Sequence, residues 1–164
     1  MASEHSMDIG VSFDFQEMKN AIDQTKREAL NRFDLKDSNI EIELTDDNVK
    51  ITAQSNNQIE AVFGIVIKKM LGRNLSPKIL DRKIIEEIGG MRVKQEIRLI
   101  KALDSENTKK ISKIIRESFP KVKVVILGET LRITSKSIDE LQEIIVFLRE
   151  EKSINLPLDF SNFR

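Results

Sequence analysis

Apolar and polar residues alternate along four short segments of the chain, and these segments occur in two pairs. The first pair is residues 40–44 ("IEIEL") and 49–54 ("VKITAQ"), separated by a turn-forming sequence. The second pair is residues 122–127 ("VKVVIL") and 131–136 ("LRITSK"), separated by Gly128 and Glu129. Alternation with period two predicts strands that turn one face towards a core, so each pair predicts a β-hairpin.

An amphipathic helix is predicted after each hairpin. Ser55 with Gln58, and Ser137 with Glu140, have the spacing of a capping box, in which the two side chains satisfy each other's free backbone N–H groups. The apolar stripes that follow are Ile59, Val62, Phe63, Val66 and Met70 in one helix, and Leu141, Ile144, Ile145 and Leu148 in the other.

A helix is also predicted before each hairpin. Asp14 with Glu17 marks the start of the first, and the second covers about residues 105–118. Strand-like segments flank these helical regions at residues 7–13, 81–88, 91–100 and 156–160. Each half therefore reads β-α-β-β-α-β, and the pattern repeats after about 82 residues. We predict an α+β fold, a tandem duplication of ferredoxin-like βαββαβ domains with both helices on one face of each sheet.

The glycine pair at Gly89 and Gly90 lies between two strand patterns, which predicts a two-residue hairpin. Residues 91–100 would then take the first-strand position of the first half, and residues 7–13 would take that position in the second half. We therefore predict that the two halves exchange their first strands and cannot fold apart. The predicted domains are residues 14–100, and residues 7–13 with residues 101–164.

The composition is that of a folded globular protein, with 40% hydrophobic residues, 33% charged residues and a formal net charge of zero. There is no cysteine, which suits a reducing compartment. No apolar run approaches the roughly 20 residues that span a bilayer. The first ten residues also lack the basic and apolar regions of a secretory signal. We expect a cytoplasmic protein that does not enter the membrane.

Motifs for catalysis and cofactor binding are missing from the sequence. His5 is the one histidine, so a histidine-based catalytic triad or histidine-ligated metal site cannot be assembled. Neither GxxxxGK[ST] nor GxGxxG occurs. We expect no enzyme activity, no catalytic residue, no metal and no cofactor.

Polar side chains on the outer faces of the predicted strands are the candidate binding residues. Because alternate side chains point to opposite faces, the face away from the helices should present cations and hydroxyls. The candidate ligand-binding residues are Arg132, Thr134, Lys136, Arg92, Lys94, Arg98, Lys50 and Thr52. The cations would neutralise phosphate, and the threonines would donate to phosphate or base. Alternatively, these residues only keep the strands solvated and prevent mispairing.

Basic residues also accumulate in residues 101–136. They are Lys101, Lys109, Lys110, Lys113, Arg116, Lys121, Lys123, Arg132 and Lys136, against four acidic residues. Such an excess suits contacts with an RNA backbone, although a solvated helix face has the same composition. Neither "VKITAQ" nor "LRITSK" contains an aromatic residue, so the base-stacking surface of RNA-recognition motifs is not present there.

Three long segments of the chain resemble the YajQ family of small bacterial proteins. They are "SMDIGVSFDFQEMKNAIDQTKREALNRFDLKDSNIEIEL", "GGMRVKQEIRLIKALDSENTKKISKII" and "LRITSKSIDELQEIIVFLR" with the ending "LPLDFSNFR". The counterparts of the family's signature positions are Asp8; Arg32, Phe33, Asp34 and Lys36; Gly89 and Gly90; Lys109 and Lys110; Arg132 and Thr134; and Asn162, Phe163 and Arg164. The resemblance implies tandem ferredoxin-like, RNP-like domains with exchanged first strands. It also implies nucleotide binding, with cyclic di-GMP receptors among some members and links to RNA among others.

Together these observations predict a non-enzymatic nucleotide-binding protein. The expected ligand is a guanine nucleotide or cyclic di-GMP, held on a polar sheet face or in the cleft between the domains. The protein would act as a regulatory effector through a protein partner. Two alternatives remain open: an RNA-binding module that uses residues 101–136, and a protein-interaction adaptor.

Overall fold

The computed structural model describes residues 3–32 and 34–164, and the chain divides into two compact units. Unit 1 consists of the described residues up to Ser12 together with Lys101–Arg164, and unit 2 is Phe13–Ile100. The assignment of domains made from the sequence, with its claim about independent folding, stays a prediction.

The described residues contain nine strands and four α-helices. In chain order they are β1 (His5–Val11), α1 (Phe15–Asn31), β2 (Glu41–Leu44), β3 (Asn48–Ala53), α2 (Asn56–Gly72), β4 (Leu80–Arg82), β5 (Glu86–Ile88), β6 (Arg92–Leu99), α3 (Ser105–Ser118), β7 (Lys123–Leu127), β8 (Thr130–Ser135), α4 (Ile138–Glu150) and β9 (Leu158–Ser161). A short 3₁₀ helix, Pro77–Ile79, precedes β4.

Each unit contains one antiparallel sheet. The strand order is β7-β8-β1-β9 in unit 1 and β2-β3-β6-β4 in unit 2, where β5 also pairs with β6. Strand β1 therefore lies between β8 and β9 although α1 follows it in the chain, and β6 takes the corresponding position beside β3. The predicted α+β fold, a duplicated ferredoxin-like arrangement with exchanged first strands, is confirmed.

Strand alternation and helical stripes build the cores as the sequence predicts. In unit 2, Val49, Ile51 and Ala53 of β3 are buried in one apolar cluster with the stripes of α1 and α2. In unit 1, Leu131 and Ile133 of β8 are fully buried. The side chains between them in sequence are left on the opposite face of each sheet.

Helix capping departs from the predicted reciprocal pattern. The N-cap hydroxyls of Ser55 and Ser137 accept from the backbone N–H groups of Gln58 and Glu140, as predicted. The return bonds differ, because Gln58 accepts from the backbone N–H of Gln54 and the carboxylate of Glu140 accepts from the Ser135 hydroxyl. Both return bonds therefore reach the end of the preceding strand rather than the N-cap N–H.

The predicted strand at residues 81–88 is interrupted, and its hairpin is longer than predicted. Arg82 pairs with Ile97 and Glu86 pairs with Lys94, so residues 83–85 lie opposite residues 95 and 96. One extra residue on one strand of an antiparallel pair forms a β-bulge. The amide of Gln95 donates to the backbone carbonyl of residue 83 and stabilises the bulge. The connecting loop has three residues, 89–91, and two of them have positive φ.

Candidate functional site

The outer face of the unit 2 sheet carries cations, but carboxylates lie beside them. Strand register places acidic residues of β2, β4, β5 and β6 next to the predicted binding residues. The closest pairs are Lys50 with Glu43 at 3.6 Å, Lys94 with Glu86 at 3.7 Å and Arg98 with Asp81 at 3.2 Å. This face is therefore charge-balanced rather than cationic, contrary to the expectation from alternation alone.

The other two candidates in unit 2 are Arg92, which is hydrogen-bonded within the protein, and Thr52, which is buried. The guanidinium of Arg92 donates to the backbone carbonyl of Asn39. Thr52 lies between Glu41 and Lys94 in the register and is buried, with 5% of its surface exposed. A hydroxyl in this position has little surface left to offer a ligand.

In unit 1, Arg132 is held by a buried carboxylate. Its Nε donates to Asp8 Oδ1 at 2.9 Å and its Nη2 donates to Asp8 Oδ2 at 3.3 Å. Asn162 adds a third hydrogen bond to Asp8, from Nδ2 at 2.8 Å. The Arg132 hydrogen bond holds the pKa of the Asp8 carboxyl below its usual value, against the opposing effect of burial.

Several signature residues of the family resemblance thus make structural contacts. Asp8, Arg132 and Asn162 form the cluster just described. Arg32 donates to both carboxylate oxygens of Asp34, at 3.0 and 2.8 Å. Phe33 lies outside the described residues.

A surface cleft of about 680 Å³ lies at the end of the β7–β8 hairpin where β8 leads into α4. It is lined by Glu4, Lys121, Lys123, Thr134, Ser135, Lys136, Ser137, Asp139, Glu140 and Glu143. Lys123 and Thr134 are register partners, which brings their side chains to the same face. Two of the predicted binding residues, Thr134 and Lys136, therefore lie together here.

The lysines of this cleft differ from the strand cations in their partners. Lys121, Lys123 and Lys136 are exposed. Within residues 3–32 and 34–164, none of them has a carboxylate oxygen within 4.0 Å. Their ammonium groups are therefore available to an anion, since no protein carboxylate has to be displaced first.

The α4 side of the cleft is acidic, and one of its carboxylates is held by a hydrogen bond. The Ser135 hydroxyl donates to Glu140 Oε1 at 2.6 Å and accepts from the backbone N–H of Ser137 at 3.0 Å. Asp139 and Glu143 of α4 also line this side, and Glu4 is a further acidic residue of the lining. The cleft thus combines cationic donors with carboxylate acceptors, which is the combination that a ligand with anionic groups and polar N–H groups requires.

Two further kinds of site are absent from the described part of the chain. No group of three or more histidine or acidic side chains is arranged to hold a metal ion. None of the described helices has the length and apolar character needed to cross a membrane.

Sequence reasoning found part of this cleft and missed the rest. Lys121 and Lys123 were included only in the basic segment 101–136, not among the strand candidates. The alternation Lys-Val-Lys-Val at residues 121–124 was the available signal, because extended backbone turns alternate side chains to one face and the register pairs Lys123 with Thr134. The acidic side had no sequence signal beyond the ordinary acidic residues of the first two turns of a helix.

Comparison with known proteins identifies the family. A family model described as "Nucleotide-binding protein YajQ-like" matches residues 5–164. A protein of Prochlorococcus marinus (strain MIT 9211) named as a nucleotide-binding protein is 44% identical, with 100% of both chains covered. Proteins with the same descriptive name from Parasynechococcus marenigrum (strain WH8102) and Chloroflexus aurantiacus (strain ATCC 29366 / DSM 635 / J-10-fl) are each 46% identical, again with 100% of both chains covered. The chain therefore belongs to the YajQ family.

Proposed function

We propose that this chain is a nucleotide-binding protein and that the cleft lined by Lys121, Lys123 and Lys136 is its binding site. The names of its relatives support the ligand class. The observation that supports the location is the difference in partners: the cleft lysines have no carboxylate partner among the described residues, whereas Lys50, Lys94, Arg98 and Arg132 each have one.

The lysine side of the cleft suits phosphate. Each ammonium group carries three donors on a flexible stem, so three lysines can follow the oxygens of one or two phosphates. Thr134 adds a hydroxyl beside Lys123. The volume of about 680 Å³ falls within the range of roughly 300–1,000 Å³ that is typical of small-molecule sites.

The acidic side favours guanine over adenine. Guanine presents N1–H and an N2 amino group on adjacent positions of one edge, and a carboxylate can accept both. Adenine offers only its N6 amino group on the equivalent edge. Asp139, Glu140 and Glu143 are the candidate acceptors. The specific proposal is a guanine nucleotide, with cyclic di-GMP as the leading candidate, whose binding changes the interaction with a protein partner.

Of the eight strand residues predicted from the sequence, Thr134 and Lys136 belong to this proposed site. The remaining six could take part only if a ligand displaced or bridged their present partners. Their assignment stays a prediction, and variants described in the Discussion separate the two locations.

Isothermal titration calorimetry tests the ligand class. The full-length protein is titrated at one salt concentration with cyclic di-GMP, GTP, ATP and a short single-stranded RNA. We expect cyclic di-GMP or GTP to bind more tightly than ATP, because only guanine supplies two adjacent donors to the carboxylates. Equal affinity for ATP and GTP would contradict the guanine assignment, and absence of binding by all nucleotides would contradict the function.

RNA binding is the second candidate, and the position of the cleft in the basic segment favours it. Lys109 and Lys113 of α3 are also exposed in unit 1. A strand of RNA could contact these lysines through its phosphates. The salt dependence of binding separates this candidate from a nucleotide held in a cleft, as described below.

A further inference from the structure

The edge strand β2 of unit 2 has a backbone edge that no other described strand covers. Among the described residues it pairs only with β3, at the end of the strand order. The backbone N–H of Thr45 donates to the carbonyl of Asn48 at 2.8 Å and closes the hairpin. Because hydrogen-bonded pairs alternate in an antiparallel ladder, Glu41 and Glu43 direct their backbone groups to β3 and Ile42 directs its N–H and C=O away from it.

A groove lined by apolar and polar residues in equal number runs beside this edge. It has a volume of about 440 Å³ and lies between β2 and the end of α1. Its apolar lining consists of Ala29, Leu30, Leu35, Ile40 and Ile42, and its polar lining of Lys26, Lys36, Asn39, Glu41 and Glu43. Leu30 at the end of α1 has 69% of its surface exposed, so its side chain is accessible to a partner.

The charges on β2 alternate with its apolar residues. Glu41 and Glu43 are exposed, and Ile42 between them is buried. Glu41 has no ion-pair partner among the described residues, and Glu43 is 3.6 Å from Lys50 with 61% of its side chain exposed. A strand added at this edge would place alternate side chains over the groove and the others beside these carboxylates.

We propose that β2 binds an extended segment of a partner protein as an additional strand, and that this segment alternates apolar residues with lysine or arginine. Main-chain hydrogen bonds to the edge would supply affinity, and the groove and carboxylates would supply specificity. The proposal does not depend on nucleotide binding, which is assigned to unit 1. It gives the protein a surface through which it can act on a partner.

The chain itself contains a segment of this type, because residues 121–124 read Lys-Val-Lys-Val. A second copy could therefore compete for the same edge. Arg116 already donates to the outward carbonyl of Val124 at 3.3 Å, so that strand offers fewer free acceptors to β2 than a free peptide does. The partner-protein segment is for this reason the favoured occupant.

Synthetic peptides and the full-length protein test the proposal by fluorescence anisotropy. The probe is a labelled peptide of alternating lysine and valine, and the first control is its glutamate–valine counterpart. Two further peptides are N-methylated at alternate residues, each blocking the donors of one edge. We expect binding of the lysine peptide, no binding of the glutamate peptide, and loss of binding for one N-methylated peptide but not the other.

Two charge variants locate the site. Glu41→Lys should weaken binding about three- to tenfold, since it replaces an attraction by a repulsion at an exposed position. Glu117→Lys on α3 changes the net charge by the same amount and should leave binding unchanged. The proposal is overturned if both N-methylated peptides bind equally, if the glutamate peptide binds as tightly, or if the two variants behave alike. It is also overturned, in favour of a second copy, if the protein alone forms a dimer that Glu41→Lys abolishes.

Discussion

Arg132 binds the carboxylate of Asp8, a residue 124 positions earlier in the chain, through two hydrogen bonds. Asp8 lies in β1 and Arg132 in β8, so the ion pair joins the exchanged first strand to the sheet that receives it. Only 10% of the Asp8 side chain is exposed, compared with 35% for Arg132. A cation that alternation assigns to a possible binding surface therefore already has a buried carboxylate as its partner.

Removing Arg132 should therefore reduce stability. Arg132→Ala leaves Asn162 as the remaining hydrogen-bond partner of the Asp8 carboxylate among the described residues, and we expect a larger loss in the free energy of unfolding than for an exposed ion pair. Arg132→Lys should lose less stability than Arg132→Ala, because lysine keeps the positive charge although it cannot form the bidentate hydrogen bonds. Urea denaturation measures both. The control, Arg98→Ala, removes an exposed pair and should cost no more than about 1 kcal/mol. Equal losses for Arg98→Ala and Arg132→Ala would contradict the structural role.

The same pair predicts a pH dependence. Arg132 lowers the pKa of Asp8 in the folded protein below its value of 3.8 in a model compound. The stabilisation is therefore present above that ordinary value and is lost as pH falls through the lowered, folded-state pKa. We expect the unfolding free energy of the wild type to fall more steeply below about pH 4 than that of Asp8→Asn. If the unfolding free energies of the wild type and Asp8→Asn fall equally with decreasing pH, Asp8 does not contribute to the pH dependence. Glu60 and Asp81, whose pKa values are also lowered, are present in both proteins, so their part of the pH dependence should be common to the two curves.

Strand exchange predicts which fragments fold. The two sequence halves should not fold apart, but residues 13–100 include the exchanged strand β6 and with it every described strand of the unit 2 sheet. This fragment should therefore unfold cooperatively in isolation. Residues 1–88 lack β6, the partner of β3, β4 and β5, and should not fold although they contain a whole sequence repeat. Thermal circular dichroism of both fragments measures the difference. A cooperative transition for 1–88 would contradict the role given to β6.

The salt dependence of the binding affinity distinguishes a bound nucleotide from bound RNA. RNA held through phosphate contacts releases counterions, so the logarithm of its affinity should fall with the logarithm of salt with a slope of roughly 0.7 per neutralised phosphate. A dinucleotide with two phosphates should show a slope of no more than about 1.4. Titrations at several salt concentrations measure both slopes. A steep slope together with tighter binding of RNA than of cyclic di-GMP would favour the RNA candidate.

The fold was largely predictable from the sequence, because its determinants are local. Alternation in "VKITAQ" and "LRITSK", the N-cap serines and the glycine turn at Gly89 and Gly90 each depend on neighbouring residues. The bulge at residues 83–85 was not predictable, since it depends on the side chain of Gln95 in the opposite strand. Nothing in the local pattern "DRKIIEEI" signals that contact.

The candidate site was less predictable, for a related reason. Alternation gives the face of a side chain but not the partner across the sheet. Arg98 and Lys94 are on the predicted face, yet register places Asp81 and Glu86 beside them. Ion pairs between neighbouring strands depend on register, and a shift of one residue would have changed every partner. Lys136 has no strand beside it, which is why it remains available.

The most direct test is a comparison of cyclic di-GMP affinity between variants of the two kinds of lysine. Calorimetry should be performed with Lys123→Ala and Lys136→Ala in the cleft, Lys94→Ala on the paired strand face, and Lys78→Ala as an exposed control of equal charge. We predict that each cleft variant weakens binding about tenfold, as expected for a lost charge-assisted hydrogen bond, and that Lys94→Ala and Lys78→Ala bind as the wild type does. Loss of affinity in Lys94→Ala with unchanged binding by both cleft variants would place the ligand on the sheet face of unit 2 and contradict the proposed site.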